Sequence, residues 1–69
     1  MKTKQPTTGS KLRDARKKTG LTQRDAARQC GLTPAYLCFL EHDRNEPTLR
    51  LLRRIAKVYG VPHGELIGP

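Results

Sequence analysis

Bulky apolar side chains are scarce in this chain of 69 residues. Tryptophan is absent, phenylalanine occurs once, tyrosine occurs twice, and 35% of the residues are hydrophobic. A chain of this length forms one small domain, and such a core supplies only about 3–5 kcal/mol of stability. The shortage favours a protein that gains further stability from a second copy or from a bound ligand.

Long hydrophobic runs are missing as well. No segment approaches the roughly 20 apolar residues of a membrane span. The first ten residues are basic and polar, without the apolar centre of a signal peptide. We therefore expect a cytoplasmic protein that has no membrane partner.

The sequence also lacks the patterns of a metal site or a catalytic site. Cys38 and His42 stand four residues apart, but no C-x-x-C pair or histidine pair accompanies them, so we reject zinc. Cys30 is expected in the core, and Cys38 as a partly exposed thiol. Glycine-rich phosphate loops and nucleophile–base pairs are absent too. We predict no cofactor, no small-molecule substrate and no enzymatic activity.

Basic residues, by contrast, are abundant. Lysine and arginine number 14 against 6 acidic residues, which gives a formal net charge of +8 and a pI of about 10.2. This surplus favours a polyanionic partner, although a merely solvated basic surface has the same composition. Charge alone leaves both interpretations open.

Residues 22–41, TQRDAARQCGLTPAYLCFLE, predict two short helices joined by a tight turn. Thr22 is suited to cap the first helix, and Gly31 ends it where the backbone needs a positive φ. Thr33 caps the second helix, with Pro34 in its first turn. Two helices in this arrangement form the unit that places a helix in a DNA groove.

The remaining segments predict an arm and further helices. Residues 1–9 have no apolar residue after Met1, which indicates a flexible basic arm before a domain over residues 10–69. Ser10 is expected to cap a helix over residues 11–18, and residues 62–67 to form one last short turn of helix. Thr48 is expected to cap a further helix, whose inner stripe is Leu49, Leu52, Ile55, Ala56 and Tyr59. No segment alternates as a strand does.

These segments together resemble the phage repressor and Cro family, the xenobiotic-response-element-type regulators. Counted from Gln23, a small residue stands fifth, a glycine ninth, and aliphatic residues fifteenth and eighteenth. The family's first helix, loop and closing segment are matched by LRDARKKTGLTQ, EHDRNEPTL and IAKVYGVPHGELI, so the resemblance covers about residues 10–67. It implies an all-α, compact five-helix bundle of the lambda-repressor-like DNA-binding type, with the helix-turn-helix at helices 2 and 3.

The resemblance also implies roles for single residues. Gln23 matches the glutamine that clamps the DNA backbone. Arg16 and Glu41 match an arginine–glutamate pair that ties helix 1 to the end of helix 3, and we expect Arg16 to touch a phosphate as well. The family's loop before helix 4 approaches the DNA backbone, which adds Arg44, Asn45 and Thr48. This chain departs from the family at Asp43, where glycine is common, but aspartate tolerates a left-handed turn better than most residues.

Base reading is expected from the exposed side of helix 3, about residues 33–41. Its residues are Pro34, Ala35, Tyr36 and Phe39, with Cys38 beside them. Better-known members place amide or guanidinium groups here, whereas the strong hydrogen-bonding group of this helix is the Tyr36 hydroxyl. We therefore expect weaker direct readout and more reliance on DNA shape and phosphates. For Phe39, packing onto the core or a partner is an equal alternative.

A second apolar surface suggests a homodimer. Its residues lie off the main stripe of helix 4 and at the end of the chain: Leu51, Val58, Leu66 and Ile67. A dimer predicts two half-sites about 34 Å apart on DNA. The alternative is that these residues complete one small core.

The sequence thus predicts a sequence-specific double-stranded-DNA-binding transcriptional regulator, with repression as the default that the family implies. The alternative is a protein-interaction module, for example antitoxin-like, that binds a partner through the apolar face of helix 3. In that alternative DNA contact is secondary.

Overall fold

The computed structural model describes residues 7–67. Within them the chain forms four α-helices and then a 3₁₀ turn. The elements are α1 (Thr8–Thr19), α2 (Gln23–Cys30), α3 (Pro34–Glu41), α4 (Leu49–Tyr59) and the turn His63–Leu66. The all-α prediction is confirmed, and the described range contains no strand. The prediction of five α-helices was wrong, because a last segment of four residues is too short to propagate α-helical hydrogen bonds.

Each α-helix begins with a threonine cap. The hydroxyls of Thr7, Thr22, Thr33 and Thr48 each accept the backbone N–H three residues further on, at 3.1 Å. Each cap satisfies a donor that the helix itself leaves without a partner. The caps at Thr22, Thr33 and Thr48 are the predicted ones.

Helix α1 begins three residues earlier than predicted. Thr7 is its cap instead of Ser10, and Ser10 completes a capping box by accepting the N–H of Thr7 at 3.0 Å. Residues 7–9, which the sequence assigned to the arm, therefore belong to the start of α1. Residues 1–6, the rest of that arm, lie outside the described residues. Thr7 and Ser10 both carry capping hydroxyls, so local sequence does not distinguish between them.

The core lies where the four helices and the 3₁₀ turn meet. Its side chains are Leu12, Ala15, Ala26, Ala27, Cys30, Leu37, Leu40, Leu52, Ile55, Ala56, Tyr59 and Leu66. Leu49 was predicted on the inner stripe of α4 but is 47% exposed, because it is the first residue of that helix and precedes the turns that pack on the core. Within residues 7–67, no helix combines the length and apolar character needed to cross a bilayer.

Candidate nucleic-acid interface

Helices α2 and α3 meet at the short turn that the sequence predicts. Gly31 has a left-handed φ of 74°, and its N–H donates to the carbonyl of Arg28 at 3.2 Å. The N–H of Leu32 donates to the carbonyl of Ala27 at 2.8 Å, which completes a Schellman motif. Thr33 then caps α3 at once. The connection is so short that α3 must cross α2 closely, over the fully buried Ala27.

A buried ion pair fixes the end of α3 against α1. Arg16 Nε donates to Glu41 Oε2 at 2.7 Å, and Arg16 Nη2 donates to Glu41 Oε1 at 3.2 Å. The two side chains are 12% and 1% exposed. The hydrogen bond to Glu41 raises the pKa of Arg16 above its usual value. The pair that the family resemblance implies is therefore present as a bidentate contact, the geometry in which an arginine fork holds a carboxylate most firmly.

Gln23 joins this pair from α2. Its Nε2 donates to Glu41 Oε1 at 3.0 Å, and the contact is partly buried. Gln23 is also the first residue of α2, where the backbone N–H groups of the first turn lack helical partners. Its amide carries a second N–H group besides the one that Glu41 uses. Side-chain and backbone donors thus lie together at the positive end of a helix dipole, an arrangement that suits an anion.

Arg16 makes a third contact inside the protein. Besides its two bonds to Glu41, Arg16 donates from Nη1 to the carbonyl of Leu21 at 2.9 Å. A guanidinium carries five N–H groups, so these three bonds leave one on Nη1 and one on Nη2 unused. Little of the side chain reaches the surface, and its expected contact with a phosphate stays a prediction.

The outer face of α3 is apolar and partly open to solvent. Pro34, Ala35 and Phe39 are exposed, and Phe39 keeps 46% of its surface accessible. Phe39 therefore does not fold back onto the core, which was one of the two alternatives for it. Cys38 is partly exposed. Tyr36 is partly buried and packs against the core, so less of it faces outward than the sequence suggested.

The loop between α3 and α4, residues 42–48, places its polar side chains on the surface. Arg44, Asn45 and Thr48 are all exposed. The hydroxyl of Thr48 already accepts the N–H of Leu51 as the cap of α4. Arg44 and Asn45 carry no such capping bond, and they are exposed together with His42, Asp43 and Glu46.

The basic residues on the outside of α2 differ in their contacts. Arg28 forms an ion pair with Asp25 at 2.7 Å, in which the Arg28 side chain is 76% exposed and the Asp25 side chain 43% exposed. Exposed pairs of this kind contribute little to stability. Arg24 is exposed on the same helix.

The proposed dimer residues divide between core and surface. Leu66 is 1% exposed, because the 3₁₀ turn folds it under α1 and α4, and it has no surface left for a partner. Leu51 and Val58 are partly buried against the core, and Ile67 is 43% exposed. The exposed Leu49 was not among the predicted interface residues.

Sequence reasoning missed two contacts that hold the interface in place. Asp43 accepts hydrogen bonds from Thr7 and Gly9 at the start of α1. The signal for this contact was a non-glycine residue at a left-handed position. Arg54 of α4 donates to the carbonyl of Cys30 at 3.3 Å and so satisfies the end of α2. No sequence pattern pointed to that bond.

Cys38 and His42 share one side of α3. The Cys38 Sγ and His42 Nδ1 lie 3.6 Å apart, and the same nitrogen is 2.8 Å from the Cys38 carbonyl. In the described part of the chain, no three cysteine, histidine or acidic residues come together as a metal site would require.

Comparison with known proteins supports this geometry. The helix-turn-helix family HTH_3 matches residues 12–66. The uncharacterized HTH-type transcriptional regulator y4dJ of Sinorhizobium fredii is 38% identical over 61 residues, which are 88% of this chain and 79% of that protein.

Two solved structures have the same fold. The clp gene regulator ClgR from C. glutamicum superposes with a TM-score of 0.81 at 30% identity, over 86% of this chain and 77% of that one. The restriction-modification controller protein C.AhdI from Aeromonas hydrophila gives a TM-score of 0.82 at 27% identity, over 87% of each chain. The family predicted from the sequence is confirmed. The chain belongs to the helix-turn-helix family of the phage repressor and Cro type, whose members are DNA-binding transcriptional regulators.

Proposed function

We propose that this chain binds double-stranded DNA sequence-specifically, inserts α3 into the major groove, and represses transcription by occupying its operator. The observation that carries the proposal is the network of Arg16, Glu41 and Gln23, which joins α3 to the anion-binding end of α2. A helix with its side chains is about 10–12 Å wide, and the major groove is about 12 Å wide. The network sets where the phosphate lies relative to the helix in the groove.

The energetics of the network favour this role. A buried ion pair is often no more stabilising than well-packed apolar residues of the same volume. The network is therefore not required for a stable core alone. It supplies directional bonds between three helices, and these keep Gln23 in register with the outer face of α3.

Recognition divides between the DNA backbone and the bases. Most of the affinity comes from phosphates, bound by Gln23 and the first turn of α2, with Arg44 and Asn45 at the other side of α3. Ala35 and Phe39 suit thymine methyl groups, and the Tyr36 hydroxyl supplies a hydrogen bond. Because α3 offers so few hydrogen-bonding groups, DNA shape contributes much of the specificity.

The proposed assembly on DNA is a homodimer in the cytoplasm. Its half-sites lie about 34 Å apart, one turn of duplex. The surface proposed for pairing comprises Leu51, Val58 and Ile67, without the buried Leu66.

Selection from a random duplex pool, followed by sequencing of the bound fraction, tests this function. We expect an enriched palindrome with half-sites one turn apart. Salt-sensitive retention without enrichment would leave only backbone binding. Absence of retention at low salt would overturn the proposal.

The exposed apolar face of α3 favours a second candidate, a protein-interaction module. Pro34, Ala35 and Phe39 form a surface that a partner protein could cover instead of DNA. Salt separates the two functions, because DNA binding weakens steeply as salt rises while apolar protein binding persists. Binding to a protein partner at high salt, with no affinity for duplex, would favour the second candidate.

A further inference from the structure

The end of α3 differs from the ends of the other three α-helices. Helices α1, α2 and α4 are each followed directly by a glycine with a positive φ, whereas α3 is followed by His42, with a φ of −100°, and then by Asp43, with a φ of 59°. Asp43 is the one non-glycine residue of residues 7–67 in this conformation. The left-handed conformation costs a non-glycine residue energy unless something compensates for it.

The backbone around Asp43 forms a complete Schellman motif. The N–H of Asp43 donates to the Leu40 carbonyl at 3.2 Å, and the N–H of Arg44 donates to the Phe39 carbonyl at 2.9 Å. Asp43 thus stands between the helix proposed to read bases and the loop proposed to bind phosphates. Its φ and ψ set the direction in which Arg44 and Asn45 leave α3.

The side chain of Asp43 fastens this turn to the start of α1. One carboxylate oxygen accepts the N–H of Gly9 at 2.9 Å, and the other accepts the hydroxyl of Thr7 at 2.6 Å. The first turn of α1 has no acidic residue of its own. Asp43 therefore supplies the negative charge that the positive end of that helix favours.

Gly9 shows how close this approach is. A Cβ atom added at Gly9 would lie 2.6 Å from the Leu40 carbonyl oxygen, and 2.7 Å from both the Glu41 carbonyl oxygen and the Asp43 carboxylate. The start of α1 is thus seated directly on the backbone at the end of α3. A glycine in place of Asp43 would adopt the same φ but would lose both bonds to α1.

We propose that Asp43 is a positioning residue for DNA binding, which holds the loop of residues 42–48 at one fixed angle to α3 by fastening it to α1. This inference rests on the proposed DNA-binding function. Without the carboxylate, the turn remains allowed but is no longer anchored, and Arg44 samples positions away from the phosphate that it binds. Stability and phosphate contact are then lost together.

The test measures duplex affinity against salt concentration for the wild type, Asp43→Gly, Arg44→Ala and the double variant. The duplex is the one selected from the random pool, and each variant is assayed at a temperature where circular dichroism shows it folded. Loss of one phosphate contact lowers the slope of log affinity against log salt by about 1. We expect Asp43→Gly to lower the slope by that amount and affinity about tenfold. The double variant should lose no more than Arg44→Ala alone.

Asp43→Asn is the matched control, since asparagine accepts the left-handed conformation and retains an oxygen for the N–H of Gly9. The slope of log affinity against log salt should fall less in Asp43→Asn than in Asp43→Gly. If Asp43→Gly unfolds below the assay temperature, the wild type and all variants are measured in sucrose, which favours the folded state. An unchanged slope in folded Asp43→Gly would overturn this inference alone. Absence of duplex binding by the wild type would overturn the proposed function and the inference together.

Discussion

Helices α2 and α3 have the same length and the same threonine cap, yet they present opposite surfaces. The outside of α2 carries Arg24, Arg28 and Gln29, whereas the outside of α3 carries Pro34, Ala35 and Phe39. Their inner faces are alike, because both supply small or aliphatic residues to one core. Packing therefore explains the inner residues of both helices.

The outer face of α3 has a different explanation. Phe39 keeps 46% of its surface accessible, and polar residues there would serve solubility better. The outside of α2 is compatible with water alone, while the apolar outside of α3 fits the proposed docking of that helix on a partner. Four experiments test this difference between α2 and α3.

Glu41→Ala removes the link between α2 and α3 and should have the greatest effect of the four changes. It leaves Arg16 buried without its carboxylate and removes the bond to Gln23, so we expect a loss of about 3–5 kcal/mol in the free energy of unfolding. Because a domain of this size has only about that much stability, the variant should be largely unfolded without denaturant, as measured by circular dichroism beside a denaturant titration of the wild type. Glu46→Ala, at an exposed glutamate of the following loop, is the control and should change stability by about 0.5 kcal/mol or less. Equal losses in the two variants would remove the network from the account of the fold.

The rates at which Cys30 and Cys38 are modified measure the accessibility of the inner face of α2 and of the outer side of α3. Cys30 is fully buried, and burial raises the pKa of its thiol, so the reactive thiolate is scarce. Cys38 is partly exposed. We expect iodoacetamide to modify Cys38 faster than Cys30 by on the order of a hundredfold, because Cys30 reacts only after unfolding.

The same labelling in the presence of the selected duplex tests whether α3 lies in the groove. Bound DNA should protect Cys38 if α3 lies in the groove, while slow modification of Cys30 remains. Mass spectrometry of the digested protein locates the label. Full modification of Cys38 in the presence of saturating duplex would contradict the proposed docking.

A pair of DNA-binding variants separates the roles of the two helices. Phe39→Ala should lower affinity for the selected duplex about tenfold and leave affinity for an unrelated duplex unchanged, because an apolar contact to a base is lost. Gln23→Ala should weaken binding to both duplexes alike, because the lost contact is to a phosphate. Fluorescence anisotropy with the two duplexes measures both effects. Identical specificity ratios in the two variants would contradict this division.

Tyr59, the last residue of α4, is the site of the change with the least effect on stability. Its buried hydroxyl has no hydrogen-bond partner within residues 7–67, and burial raises its pKa above the usual 10.0. Tyr59→Phe should therefore raise the free energy of unfolding by about 1 kcal/mol at neutral pH.

The raised pKa of Tyr59 also makes the stability of the protein depend on pH. Because the pKa is higher in the folded state, the unfolded chain ionises first, and wild-type stability falls as the pH rises above about 10. The variant lacks this loss, so the difference between the two proteins should widen in that range. Unfolding curves at pH 7 and above pH 10 test this, and a variant less stable than the wild type would show that the hydroxyl has a favourable contact.

The helix boundaries show how far local sequence carries a prediction. Thr22, Thr33 and Thr48 were predictable as caps, since a cap is a contact between a side chain and a backbone group three residues away. Thr7 was not, because Ser10 fits the same pattern and the bond that favours Thr7 comes from Asp43, 36 residues distant. Leu49 and Leu66 were misplaced for a similar reason: helical periodicity does not say where a neighbouring element ends.

The features of the candidate site also divide into those that the sequence predicts and those that depend on the packing of the helices. The turn at Gly31 and the exposed residues of α3 were identified from spacing within one segment, and Gln23, Arg16 and Glu41 from a family resemblance. The bond from Gln23 to Glu41, and the burial of most of the Arg16 side chain, depend on three helices meeting at one point. No pattern within a single helix contains that information.

Local sequence is sufficient for several features of this protein: the starts of three α-helices, the glycine turn that ends α2, the inner stripe of α4 except Leu49, and the family. These depend on interactions across three or four residues, which composition and spacing record directly. Tertiary packing is needed to establish that Asp43 fastens α3 to α1, that Arg16 faces inward, that Leu66 is buried and that Phe39 is exposed. Each depends on contacts between residues far apart in the chain, whose geometry exists only after the helices have packed.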